Sequence, residues 1–139
     1  MKSRDTLIRL KKFQVDEKRR RVVQIETMIA EFDRMATDLD REIQQEQDRA
    51  NIHDPSHFAY PTYAKAARTR RDNLRRSADE LHAQLVDAKE ALTEAFDEMK
   101  KVELLDERDQ QRERVAEDAR EQIELDRIGL AMAVTGVRV

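Results

Sequence analysis

Apolar residues recur in this chain with a strict alternation of three and four. They fall at Ile8, Val15, Val22, Ile25, Ile29, Phe32, Ala36, Leu39 and Ile43, and again at Ala67, Leu74, Ala78, Leu81, Leu85, Ala88, Leu92, Ala95, Met99 and Val102. Lys11, Lys18 and Arg71 fill the remaining places, so 19 of 22 positions obey the rule in a chain that is only 39% hydrophobic. Such spacing draws one narrow stripe along each of two long helices, the seam of a coiled coil. Both prolines, Pro55 and Pro61, lie between the two repeats, and glycine occurs only at Gly129 and Gly136. With so few breakers the chain has one place to turn. The predicted fold class is all-α: an elongated two-helix antiparallel coiled-coil hairpin with a longer second helix. Its boundaries are a single coiled-coil domain over 1–139, with helix 1 at about 4–52, a hairpin loop at 53–61, helix 2 at about 62–128 and a flexible tail at 129–139. Ser3 is the expected N-cap and Gly129 the expected C-terminal stop.

Folding back at Pro55 pairs residues whose numbers total 110, setting Ile43 against Ala67, Ile29 against Leu81 and Val15 against Ala95, with large often facing small. A shift by one heptad preserves the spacing, so charge is the second guide. Nine basic residues against three acidic lie between Lys2 and Arg21, and seven acidic against three basic between Glu31 and Arg49. Six basic against one acidic follow between Lys65 and Arg76, then ten acidic against five arginines between Glu103 and Arg127. Antiparallel folding sets opposite signs side by side, whereas parallel self-pairing sets each block beside its own copy. Helix 2 then outruns helix 1 by about 20 residues, roughly 30 Å at 1.5 Å per residue, with a weaker seam at Val115, Ala119 and Ile123.

The composition narrows the chemistry. Cysteine is absent, which removes disulfides and thiolate zinc sites. The start MKSRDTLIRLKKF lacks a signal-peptide core, and the longest apolar run, Ile128 to Val134, is far short of a bilayer span; a soluble, cytoplasmic protein is expected. His53, Asp54 and His57 stand together, but Pro55 breaks the geometry that would aim both rings at one ion, and no further ligand is nearby in sequence. Loop-cap roles are the stronger reading, with no metal and no cofactor expected. There is no phosphate loop or oriented nucleophile, and a two-helix rod offers no deep pocket, so no catalytic residue is expected and an enzyme is not. The runs Lys18 to Arg21 and Arg68 to Arg71 face acidic stretches in an acidic chain, which favours paired or solvated charge over nucleic acid.

Two groups of residues stand outside the seam. Phe58, Tyr60 and Tyr63 cluster in the segment NIHDPSHFAYPTY, either as anchors for a partner or as a plug closing the hairpin. Leu7, Leu10 and Phe13 step around helix 1 away from the seam among Arg9, Lys11 and Lys12, as a second contact surface, a change of seam phase or a face for self-association.

The order of these features resembles the FliJ family of the bacterial flagellar type III export apparatus. The similarity lies in the start MKSRDTLIRLKKFQVDEKRRRV, the heptad helix, the midpoint FAYPTYAKA and the longer charged return helix carrying LLDERDQQRER. The resemblance implies a non-enzymatic, stalk-like coiled coil whose end with both termini enters the hexameric export ATPase ring. It also implies contact of the hairpin side with the cytoplasmic domain of the export gate, escort of export chaperones, and a place at the flagellar base reached through partners. Carried onto this chain, Leu7, Leu10, Phe13, Arg112 and Arg114 would face the ATPase, and Ile43, Phe58, Tyr60, Tyr63 and Ala67 the gate. A structural coiled coil that dimerises through the overhang, or a nucleic-acid-associated helical protein, are the alternatives.

Overall fold

The computed structural model describes residues 2–136. Among them there are two helices and no strand: α1, Lys2–Ala50, and α2, Thr62–Thr135. The chain is an all-α two-helix hairpin with a longer second helix, as the seam predicts. Its contacts fall into two units, residues 12–96 and residues 1–11 together with 97–139.

In the unit 12–96, burial follows the seam. Ile25, Ile29 and Leu81 form one cluster, with Phe32, Leu85 and Ala88 packed against it. Leu39, Ile43 and Ala67 form another, joined by Leu74. These groupings are those of the pairing that totals 110, and Arg71 to Asp40 at 3.0 Å agrees within one residue. Arg71 occupies a seam position with its side chain 18% exposed. Burial opposes its charge, but hydrogen bonds to Asp40 and Asp72 outweigh that and hold its pKa above the ordinary arginine value. Arg75 also pairs with Asp40, so a one-heptad slip would take both arginines from their shared carboxylate.

In the unit formed by 1–11 and 97–139, Met99 is buried and Ile8 and Val102 are half-buried. Lys11 takes a seam place by turning its ammonium out to Glu98 at 3.0 Å, which leaves its stem on the apolar side. Arg4 pairs with both Asp106 and Asp109. Beyond Asp109 every described residue, 110–136, is exposed. The helix continues there without packing against α1.

The helix ends differ from the expected ones for identifiable reasons. Ser3 lies inside α1 rather than capping it, and the first turn is tied down by Arg4. α1 stops at Ala50 because Asn51 adopts the left-handed conformation, φ 54°. Its N–H donates to the Asp48 carbonyl and that of Ile52 to the Gln47 carbonyl, the paired bonds of a Schellman ending, for which asparagine is the usual substitute for glycine. The loop therefore begins at Asn51 rather than residue 53. At the other end the expected stop at Gly129 is corrected. α2 runs through it to Thr135, and Gly136, with φ 75°, is the left-handed residue that ends the helix. One interior glycine costs a helix only about 1 kcal/mol, and the run Leu130 to Val134 carries the helix on. The expected flexible tail is thus helical over 129–135, and its residues 137–139 lie outside the described residues.

Ile25 is 1% exposed and Val86 57%. Ile25→Ala is expected to destabilise the hairpin by about 3 kcal/mol and Val86→Ala by less than about 0.5 kcal/mol, measured by urea unfolding followed by circular dichroism.

Candidate functional site

The turn is built from two consecutive hydrogen-bonded turns. The His57 N–H donates to the Asp54 carbonyl at 3.0 Å and the Tyr60 N–H to the His57 carbonyl at 3.0 Å. Pro55 supplies the fixed φ of the first. The Asp54 carboxylate accepts from the Ser56 hydroxyl at 2.7 Å and from the Ser56 N–H at 3.0 Å. Those two bonds, the hydroxyl first, hold the Asp54 carboxyl below its ordinary value of 3.8.

The three aromatics of this segment separate into different roles. Tyr60 is the plug, 8% exposed, and its hydroxyl accepts a hydrogen bond of 2.7 Å from the Gln47 side-chain amide, itself buried. Ala64, with no exposed surface, sits beneath it in sequence. Gln47 and Ala64 were missed by the count of apolar seam places: Tyr60, Ala64 and Ala67 continue its spacing as four and three, whereas Gln47 follows Ile43 by a second successive step of four, one place beyond the alternation. The signal was present at Tyr60 and Ala64 but concealed by the proline-rich loop, and at Gln47 the spacing carries none. Phe58, in contrast, is 96% exposed, with its ring stacked on His57 at 4.7 Å. Tyr63 is half-exposed and its hydroxyl donates to Glu42 at 2.6 Å. That bond to a carboxylate raises the Tyr63 pKa above its ordinary value, with desolvation adding to it. Tyr63 also lines an open groove with Met35, Asp38 and Arg70.

Of the five residues assigned to a gate contact, the structure leaves two on the surface. Ile43, Tyr60 and Ala67 are buried in the hairpin, and their assignment as contacts is corrected: side chains sealed between α1 and α2 hold the turn in place and present nothing to a partner. Phe58 and Tyr63 remain exposed. Of the residues assigned to an ATPase, Leu7, Leu10 and Phe13 are each exposed, between 41% and 54%. Arg112 and Arg114 are exposed on the unpaired part of α2, Arg112 lying 3.9 Å from Asp109.

The two loop histidines have local partners. The His53 Nε2 meets Asp48 Oδ1 at 2.9 Å, and the His57 Nδ1 accepts from the Ala59 N–H at 3.0 Å. The His53 hydrogen bond, with one from Gln44, lowers the Asp48 pKa. Among the described residues no group of three or more His, Cys, Asp or Glu is placed to hold a metal ion. No described helix is long and apolar enough to cross a membrane. Comparison with family models, with curated proteins and with solved structures finds no match to this chain.

Tyr60→Phe strands the buried Gln47 amide and is expected to cost about 1 to 2 kcal/mol, while Phe58→Ala changes stability by less than about 0.5 kcal/mol; equal losses in thermal unfolding would show that both rings are structural. Because its folded pKa is depressed, Asp54 contributes stability that is present above its unfolded value and lost as pH falls through the folded one. Ser56→Ala removes the larger of the two causes, so a carboxyl NMR titration should find the Asp54 pKa raised while still below its ordinary value.

Proposed function

We propose that this chain is a non-enzymatic component of a flagellar type III protein export apparatus, acting as a stalk for the hexameric export ATPase. The observation that carries this reading is the hairpin itself. A second helix outruns the first in the same order of features by which the sequence resembles the FliJ family. Leu7, Leu10 and Phe13 on α1, with Arg112 and Arg114 on α2, are exposed as an ATPase-facing set requires. A stalk has no bond to break. It alters turnover through unequal affinity for the conformations of the six ring subunits, the one way a bound protein shifts such an equilibrium.

At the turn, Phe58 and Tyr63 are the residues proposed to meet the cytoplasmic domain of the export gate, with Tyr60, Ile43 and Ala67 fixing the backbone that carries them. Export chaperones are further partners in this reading. The place of action is the cytoplasmic side of the flagellar base, reached through these partners and without cofactor, metal or nucleic acid.

The test is ATP hydrolysis by the cognate export ATPase with and without the chain, beside a Leu7→Ala, Leu10→Ala, Phe13→Ala variant. Stimulation that the triple variant loses, with its helix content retained, is the expected result. An active ATPase that forms no complex with the chain and gains no activity from it would overturn the reading.

A further inference from the structure

The exposed part of α2 carries a second apolar stripe, different in period from the seam. Leu104, Val115, Ala119, Ile123, Leu130 and Val134 are all exposed. With Arg108, Arg112 and Asp126 they complete a run of nine positions spaced in threes and fours: 104, 108, 112, 115, 119, 123, 126, 130 and 134. From 108 onward the steps repeat as four, three and four, an eleven-residue period. At 3.67 residues per turn that period keeps every position on one face of an almost straight helix. Leu104 places this face on the exposed side of α2, since its neighbour Val102 is the residue turned to the seam. The stripe is about 45 Å long, and nothing in the hairpin covers it.

The run is also symmetric about Ala119. Reversed, it falls on itself: Val115 meets Ile123, Leu104 meets Val134, and Ala119 meets its own copy. The charges within it obey the same symmetry. Arg112 meets Asp126, a pair that occurs twice, while Arg108 falls opposite Leu130 and can lay its stem along it. A parallel arrangement sets each of these charges beside its own copy instead. A small residue at the crossing lets two helices approach closely, and a helix this polar and unpacked is marginal alone.

We infer that the unpaired part of α2 is a docking surface for a second copy of the same chain, forming a two-fold antiparallel helix pair centred on Ala119. The contact is isologous, so it closes on a dimer and does not propagate. It covers Arg112, so a dimer and an ATPase-bound chain are alternative states; this last consequence rests on the stalk reading, whereas the dimer does not.

The chain has no cysteine, so single cysteines report the geometry directly. Under mild oxidation the full-length Ala119→Cys variant is expected to form a disulfide-linked dimer. Val115→Cys is not, because copies of residue 115 stand eight residues apart in the antiparallel pair, about 12 Å, beyond the reach of a disulfide. In sedimentation equilibrium without oxidant, Arg112→Glu should weaken the dimer about tenfold, and the double variant Arg112→Glu, Asp126→Arg should restore it. A chain that stays monomeric at all concentrations, with the stripe covered only when an ATPase is added, would overturn the inference. So would equal cross-linking of Ala119→Cys and Val115→Cys, the mark of a parallel pair. Neither outcome bears on whether the ATPase is stimulated.

Discussion

Two facing stripes of apolar side chains, each one or two residues wide, hold these helices together, and nearly every other feature follows from how narrow those stripes are. Ile25, Ile29 and Leu81 lose almost all contact with water, yet most of each helix surface remains exposed, so polar and charged residues fill the rest. A seam of this kind gives affinity but little register, because a slip of seven residues restores the spacing. The register is therefore assigned to groups that do not repeat. Arg71 and Arg75 share Asp40 in one unit, and Arg4 engages Asp106 and Asp109 in the other. Such pairs contribute little to stability when exposed, and a single charge placed in a seam is better understood as a device for alignment.

The fold was legible because both signals it uses are local or periodic. Three-and-four spacing and two clustered prolines were enough to give two antiparallel helices and the position of the turn, while their pairing stayed open by one heptad until Arg71 was seen against Asp40. The helix ends were less legible. A stop at Gly129 and one at Gly136 have the same residue type, and only the backbone distinguishes a glycine carried through a helix from one at positive φ. Asn51 is a comparable case, since asparagine has many reasons to precede a loop and left-handed geometry is one of them.

The turn was legible in place but not in detail. Phe58, Tyr60 and Tyr63 are indistinguishable by composition, and sequence left anchor and plug open for all three. Their separation depends on direction: Tyr60 points back into the seam where Gln47 waits for its hydroxyl, whereas Phe58 rests on His57 in solvent. A polar residue one place beyond an apolar repeat is easily passed over. Gln47 is instead the partner that allows a tyrosine hydroxyl to be buried without loss of hydrogen bonding.

The continuity of α2 has a dynamic consequence. Its backbone hydrogen bonds are of one kind from Thr62 to Thr135, but only those as far as Asp109 are backed by side chains packed on another helix. Amide protons should therefore exchange with solvent on a steep gradient along a single uninterrupted helix, slowly around Ala78 and Leu81 and within seconds or less beyond residue 110. Opening free energy follows local packing rather than secondary structure. A helix that is regular in its backbone is, in this sense, two materials joined end to end, and whatever binds the distal one supplies the order it lacks.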